Sequence, residues 1–304
     1  MPSRLEEMEV FISVYESGSF STAARALNKT PSSISKLIQR LEDRLGAQLF
    51  YRNSRSVRPT EDGRTFFLHG QRAVEAMADA ETAVAGKSGR LVGRVRIATM
   101  LTFAKYQIAP LIPEFSRRFP DLEIEFHLAP VHADLLENGI DLSIRSGPLE
   151  DSSLVSKHLA SSRWTLCASP EYLARHGVPK RPEDLKGHNC LKFAMPTHWN
   201  NWHFNVPAGL DAPPGGSMSA DQGDMLLELA RHGVGIVRLA QFHIHGDLQR
   251  GTLVPLLEDF ESMTPEPLTM VYPARRNLSQ KVAAVVAFLE EKFGHVPPWE
   301  RNTR

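Results

Sequence analysis

The residues whose types and spacing could do chemistry cluster near one end of the chain. Between positions 25 and 58 there are eight basic groups, Arg25, Lys29, Lys36, Arg40, Arg44, Arg52, Arg55 and Arg58, against only Glu42 and Asp43, a net +6. Residues 91–304 hold 22 basic and 24 acidic groups, a net −2, and the whole chain sums to zero. A compact basic patch on a neutral body suits an anionic partner, nucleic acid first, with a solvated basic surface as the alternative. Within the patch, the short hydroxyls Ser32, Ser33 and Ser35 precede the longer donors Lys36, Gln39 and Arg40. Short side chains at a helix start let backbone N–H groups approach phosphate, while the longer donors one turn on reach base edges or the backbone. Arg52, Arg55 and Arg58, three residues apart, suit phosphate or minor-groove contact.

Catalytic or metal chemistry finds no comparable foothold. No G-x-S-x-G, H-E-x-x-H or G-x-G-x-x-G occurs, and the twelve histidines form no evident triad. Gly86-Lys87-Ser88 is no phosphate loop, since Glu81 stands where that motif needs glycine. His243 and His245 would share one face of a strand, but no third ligand is near in sequence, so no metal is assigned. Cys167 and Cys190 are not a C-x-x-C pair and read as core thiols; redox sensing would need an exposed thiol of lowered pKa.

The elements that must position the basic patch are legible in apolar spacing. Leu5, Met8, Phe11, Ile12 and Tyr15 recur at helical intervals up to Gly18. Ser19 or Ser21 caps a short alanine-rich helix. Thr30 is an N-cap and Pro31 a first helical residue. Ile34, Leu37, Ile38, Leu41 and Leu45 form the buried stripe of that third helix, and Gly46 stops it. Two short helices about a tight turn make a helix-turn-helix. Leu49 and Phe50, a turn at Asn53-Ser54, and Val57 before Pro59 read as a β-hairpin wing carrying the three arginines.

Thr60 caps a further helix that runs without proline to about Gly86. Phe67, Val74, Met77 and Val84 lie along one stripe, with Ala73 and Ala80 beside it. About 25 residues span about 38 Å at 1.5 Å each. Such a stripe needs cover, from a second copy or from its own chain. Residues 85–93 read as a linker.

From residue 91 onward, strand-like segments (RVRIATM, LEIEFHLA, DLSIRSG, WTLCA, VGIVRL, LTMVYPA) alternate with helical ones, VHADLLENGI at 131–140 among them. Parallel sheets in two small α/β lobes are therefore expected. The 304 residues, 42% of them hydrophobic, fit a multidomain α/β protein. Acids near the N-terminus and the lack of a long apolar run point to a soluble, cytoplasmic chain.

The stretch from Gly18 to Gly63 resembles the winged-helix domain of LysR-type transcriptional regulators. The matching landmarks are Ala23-Ala24, Leu27, Ser35, Leu41-Glu42, Leu45-Gly46, Leu49-Phe50, Arg52, Arg55, Thr60 and Gly63. One departure stands out: Pro31 replaces a glutamine that in this family often touches a base, which shifts readout towards Ser32, Ser35 and Lys36. The resemblance implies a regulator and not an enzyme, with no cofactor. It also implies a homodimer or homotetramer joined through the long helix on double-stranded promoter DNA, with RNA polymerase at that promoter. It places the winged helix at 1–60, the connecting helix and linker at 61–90, and the effector domain at 91–304. That last domain resembles periplasmic solute-binding proteins, with lobe 1 at 91–161 and 268–304, and lobe 2 at 162–267. The chain would cross between lobes near Ser161–Arg163 and Pro267–Leu268. A small-molecule effector would occupy the cleft. Candidates are Met100, Leu101 and Thr102 after the first strand, Arg145 as a carboxylate partner, Thr197, His198 and Trp199 opposite, and Asp221 at a helix start. For each, capping, packing or a structural ion pair is the alternative. A solute carrier would account for the lobes but not for the first ninety residues, and an enzyme would lack a catalytic constellation.

Overall fold

The computed structural model describes residues 3–53, 56–85, 91–128, 135, 138–149, 154–202, 204, 215–260, 264–273 and 278–301. The N-terminal unit comprises α1 (Arg4–Ser17), α2 (Phe20–Ala26), α3 (Pro31–Leu45), β1 (Phe50–Asn53) and β2 (Ser56–Pro59). Its caps are local. Ser19 Oγ accepts from the Thr22 N–H at 3.3 Å and Thr30 Oγ1 from the Ser33 N–H at 3.2 Å. Gly46 closes α3 at φ 68°, the left-handed region that favours glycine. Ile34, Leu37, Ile38 and Leu41 bury against Val10, Phe11 and Val14 of α1 and Ala23-Ala24 of α2. The inward face of α1 is thus Val10, Phe11 and Val14, with Glu7 buried alongside. Leu45 departs from the expected stripe and is 41% exposed. It is the last residue of α3, and Glu42 takes the inward place in that turn.

Glu42 is the hinge pin of the wing. Its Oε1 accepts from the Leu49 N–H at 2.8 Å and the Phe50 N–H at 3.2 Å, fixing where the chain leaves α3 for β1. The Thr60 hydroxyl donates to the Gln48 carbonyl at 2.6 Å and accepts from the Gly63 N–H at 3.0 Å, tying the hairpin's exit to α4 (Glu61–Ala85). A Cβ on Gly63 would lie 2.1 Å from the Leu49 carbonyl oxygen, so only glycine fits there.

The expected stripe along α4 divides. Phe67 stacks on Tyr15 of α1 at 3.8 Å between ring centroids, and Phe66 meets Phe11 edge-on at 5.0 Å. Aromatic pairing within the subunit therefore uses the first turns. Further along, Ala73, Ala80 and Met77 are exposed, Met77 by 48%.

The C-terminal two-thirds holds β3 (Gly93–Thr99), α5 (Leu101–Phe103), α6 (Ile112–Arg118), β4 (Leu122–His127), β5 (Leu142–Ser146), β6 (Leu154–Ser162), β7 (Trp164–Ala168), α7 (Pro170–His176), β8 (Lys192–Phe193), β9 (Ser219–Ala220), α8 (Gly223–Arg231), β10 (Val237–Ala240), α9 (Gln241–Arg250), β11 (Val254–Pro255), β12 (Glu266–Pro273) and α10 (Gln280–Phe293). A five-stranded sheet runs β4-β3-β5-β12-β6, and a second runs β10-β7-β11. The chain changes sheet at Arg163, between β6 and β7, and returns at Glu266.

Among the described strands the first sheet is mixed and the second antiparallel, which corrects the expectation of parallel ones. Among the described strands β3 pairs parallel with β4 and β5, and β8 with β9, whereas β12 is antiparallel to β5 and β6, and β10 and β11 are antiparallel to β7. For β12 the cause is the return crossing, which feeds it into the first sheet from the opposite end. β6 lies at that sheet's edge with Val155 to His158 exposed, so its sequence lacks a buried alternation. The helix expected at 131–140 falls largely outside the described residues, as do Arg55 and the linker positions 86–90.

Replacing Glu42 by Ala strips the acceptor from two buried backbone N–H groups. We expect a loss of about 2 kcal/mol in the unfolding free energy, read as a lower denaturant midpoint by circular dichroism, with Glu42→Gln losing less. A midpoint unchanged in Glu42→Ala would show that the wing is held by other means.

Candidate functional site

The polar side of α3 faces outward. Ser32, Lys36, Gln39 and Arg40 are exposed, and Ser33 and Ser35 are half-buried. These six positions differ in freedom. Gln39 Nε2 donates to Asp43 Oδ1 at 2.8 Å, and Arg40 Nε lies 3.4 Å from the buried Glu7, which also pairs with Arg44 at 2.9 Å. Arg40 is therefore partly a structural cation. Ser32 Oγ lies 3.1 Å from Thr30 Oγ1. Lys36 reaches solvent beside them. On the hairpin, Arg52 sits opposite Val57, and exposed Arg58 opposite Tyr51, which is 60% exposed. Tyr51 was missed from sequence, although its place between Phe50 and Arg52 interleaves an aromatic ring with cations. Arg55 lies outside the described residues.

The second site is a cavity of about 500 Å³ between the two sheets. Met100, Leu101, Thr102, Arg145, Thr197, His198, Trp199 and Asp221 all line it. Met100 precedes α5 and Thr102 lies within it, Arg145 is the penultimate residue of β5, and Thr197 caps a short turn, His198–Asn200, by accepting from the Trp199 N–H at 3.3 Å. Asp221 stands two residues before α8. The lining is mostly apolar, with Trp164, Phe193, Met195 and Phe242 adding walls that sequence reading did not pick out. Trp164 and Trp199 stand 5.7 Å apart. An apolar body with a small polar or anionic group directed to Arg145 and Thr102 matches this chemistry.

Two carboxylates brace the cavity's margins. Glu266 receives the Trp164 indole N–H at 2.7 Å, the Trp199 indole N–H at 3.2 Å, the Ser146 hydroxyl, and the His198 ring at 3.2 Å. Asp224 binds Lys105 at 2.8 Å and His243 at 3.2 Å. The His243 ring, then Lys105, hold the Asp224 carboxyl well below the usual carboxylate range. Burial pushes His243 down, only partly offset by Asp224. This corrects the strand assigned to His243 and His245: they lie on α9, two residues apart, which turns the rings about 200° from each other. Both cysteines are buried, and burial pushes the Cys190 thiol up to about 12, which disfavours the reactive thiolate.

A third cluster joins α4 to the first sheet. Arg96 of β3, nearly buried, lies 3.0 Å from Glu75 and donates to Gln71 Oε1 at 3.3 Å, and Gln71 donates to Glu16 of α1 at 3.1 Å.

Residues 5–64 match the bacterial regulatory helix-turn-helix protein, lysR family, and residues 88–294 match the LysR substrate binding domain. The chain belongs to the LysR family of transcriptional regulators. It is 34% identical over 295 residues to the HTH-type transcriptional regulator CrgA of Neisseria meningitidis, covering 97% of this chain and 99% of that one. The solved structure of CrgA superposes with a TM-score of 0.66 at 34% identity, covering 97% of this chain and 99% of that one. The full-length Vibrio cholerae virulence activator AphB gives 0.61 at 26% identity, covering 96% and 100%. The chain is thus a DNA-binding regulator with an effector-binding domain and not an enzyme. No described helix is long and apolar enough to cross a membrane.

The Asp224–His243 pair sets a pH dependence. Both folded pKa values are depressed, so the unfolded chain binds more protons and stability falls on acidification. His243 contributes as pH drops below about 6.5, and Asp224 below about 4. We expect the melting temperature to fall from about pH 7.5 to pH 5, and the slope to flatten in His243→Asn; an equal slope in both would assign it elsewhere.

Proposed function

We propose that the protein binds promoter DNA as a homo-oligomer, reading sequence through α3 and gripping phosphate through the hairpin, under control of a small molecule in the interlobe cavity. The single observation that carries the DNA reading is the outward polar face of α3, whose first turn, opened by Thr30-Pro31, exposes Ser32 and whose next turn presents Lys36. Arg52, Arg55 and Arg58 extend the contact along the backbone. The exposed later part of α4, Ala73, Met77 and Ala80, supports pairing with a second copy, so that two reading helices face two half-sites. In this reading the protein works in the cytoplasm, at promoters served by RNA polymerase. The cavity supports the effector reading by its volume, its apolar walls and the presence of Arg145 and Thr102 in its lining. A ligand shifts the regulator only by as much as it prefers one arrangement of the lobes over another.

Gel-shift titration against promoter fragments at about 50 and 200 mM salt tests the DNA reading. Affinity should fall at least tenfold with salt while preference for one fragment persists. Arg58→Ala should weaken every fragment about equally and lower the salt slope by about 1, whereas Lys36→Ala should change the preference. Preference unaltered by Lys36→Ala and by Ser35→Ala would remove α3 as the reader. For the effector, thermal-shift screening against small carboxylates should find a compound adding about 2.7 kcal/mol at 100-fold its Kd. Loss of that shift in Arg145→Ala places it in the cavity.

A further inference from the structure

Four donors converge on one carboxylate at the cavity's margin, and they come from both lobes. Ser146 ends β5 and Glu266 opens β12 in the first sheet, whereas Trp164 opens β7 of the second, and His198 and Trp199 belong to the turn at 198–200 that leans across. Two indole N–H groups, one hydroxyl and one imidazole match the roughly four lone-pair sites of an ionised carboxylate. The Glu266 side chain is only 12% exposed. The backbone is shaped for this meeting. Gly147 adopts φ +90°, its N–H donates to the Pro267 carbonyl at 3.0 Å, and a Cβ on it would sit 3.3 Å from the His198 ring and 3.5 Å from Glu266 Oε1.

We propose that Glu266 is a tethered anion: it occupies a carboxylate-binding site built from both lobes, clasping them together without a ligand and barring a small carboxylate from that wall of the cleft. Indole N–H groups donate only, so Trp164 and Trp199 need an acceptor whenever water is excluded. Opening the lobes strips Glu266 of charge-assisted bonds, which are stronger than neutral ones. The anionic group of any cleft ligand is consequently steered away from His198 and Trp199 and towards Arg145, and a ligand carrying a second anion against the His198 wall is rejected. Glu266 is a positioning and specificity residue in this scheme. The ligand clause rests on the effector reading above; the clasp does not.

Vacating the site provides the test, with sodium formate as the probe and sodium chloride at equal ionic strength as the control. In the full-length protein, Glu266→Ala should melt about 5 °C lower and show tryptophan emission shifted to the red. Formate at tens of millimolar should reverse both changes saturably in that variant and leave the wild type unmoved. Glu266→Gln keeps the shape but sets an amide NH2 against one of the donors, so it should be partly destabilised and, its site being filled, formate-indifferent. A Glu266→Ala protein that formate does not move, or a wild type that responds equally, overturns the proposal. If the alanine variant fails to fold, a Glu266→Gln protein as stable as the wild type overturns it instead. Neither DNA nor effector enters the readout, so formate rescue alongside an empty effector screen would sink the effector reading and leave the clasp standing.

Discussion

A carboxylate taken out of water must be saturated by donors, and in this chain the saturating donors repeatedly come from a different structural unit than the acid. Glu7 of α1 is held by Arg40 and Arg44 of α3, and Glu42 of α3 by the backbone of the wing strand. Asp247 of α9 is bracketed by Arg231 of α8 at 2.7 Å and by the Thr252 hydroxyl at 2.8 Å. Glu266 and Asp224 do the same across the two lobes. Apolar burial makes each unit compact, but it is non-directional. The directional acid contacts specify how the units meet, because breaking one leaves an uncompensated charge.

The same logic links the reading head to the ligand domain. Glu75 and Gln71 project from α4 onto Arg96, which is shared with Glu125 on the neighbouring strand, and Gln71 touches Glu16 of α1. A change in the first sheet therefore meets α4 through a nearly buried guanidinium, whose planar fork tolerates little reorientation. Tyr15 and Phe67 stacked at 3.8 Å fasten the other end of the contact.

The helix-turn-helix was legible because its signals are local: Ser19, Thr30, Pro31 and Gly46 each act within one turn, and Ile34, Leu37, Ile38 and Leu41 repeat at the helical period. Candidate cavity residues could be placed because strand ends in α/β sheets converge there. Legibility failed where the partner is far along the chain. Glu266 looks like any surface acid until Trp164, 102 positions earlier, is folded onto it. The direction of β12 depends on a return crossing that no local pattern encodes, and β6 escapes notice because an edge strand exposes polar residues on both faces. His243 and His245 sit in a short apolar-polar alternation that fits a strand as well as it fits α9.

α4 is anchored at its start to α1 and the wing, and further along to β3, and its 25 residues measure about 38 Å. A rod of that length is a lever arm. Tilting it by about 5° about one end sweeps the other through about 3 Å, close to the 3.4 Å rise of one base pair. The gearing between ligand domain and duplex is thus fixed by the count of residues in a single helix, and lengthening or shortening it by one residue would also rotate the head by about 100°.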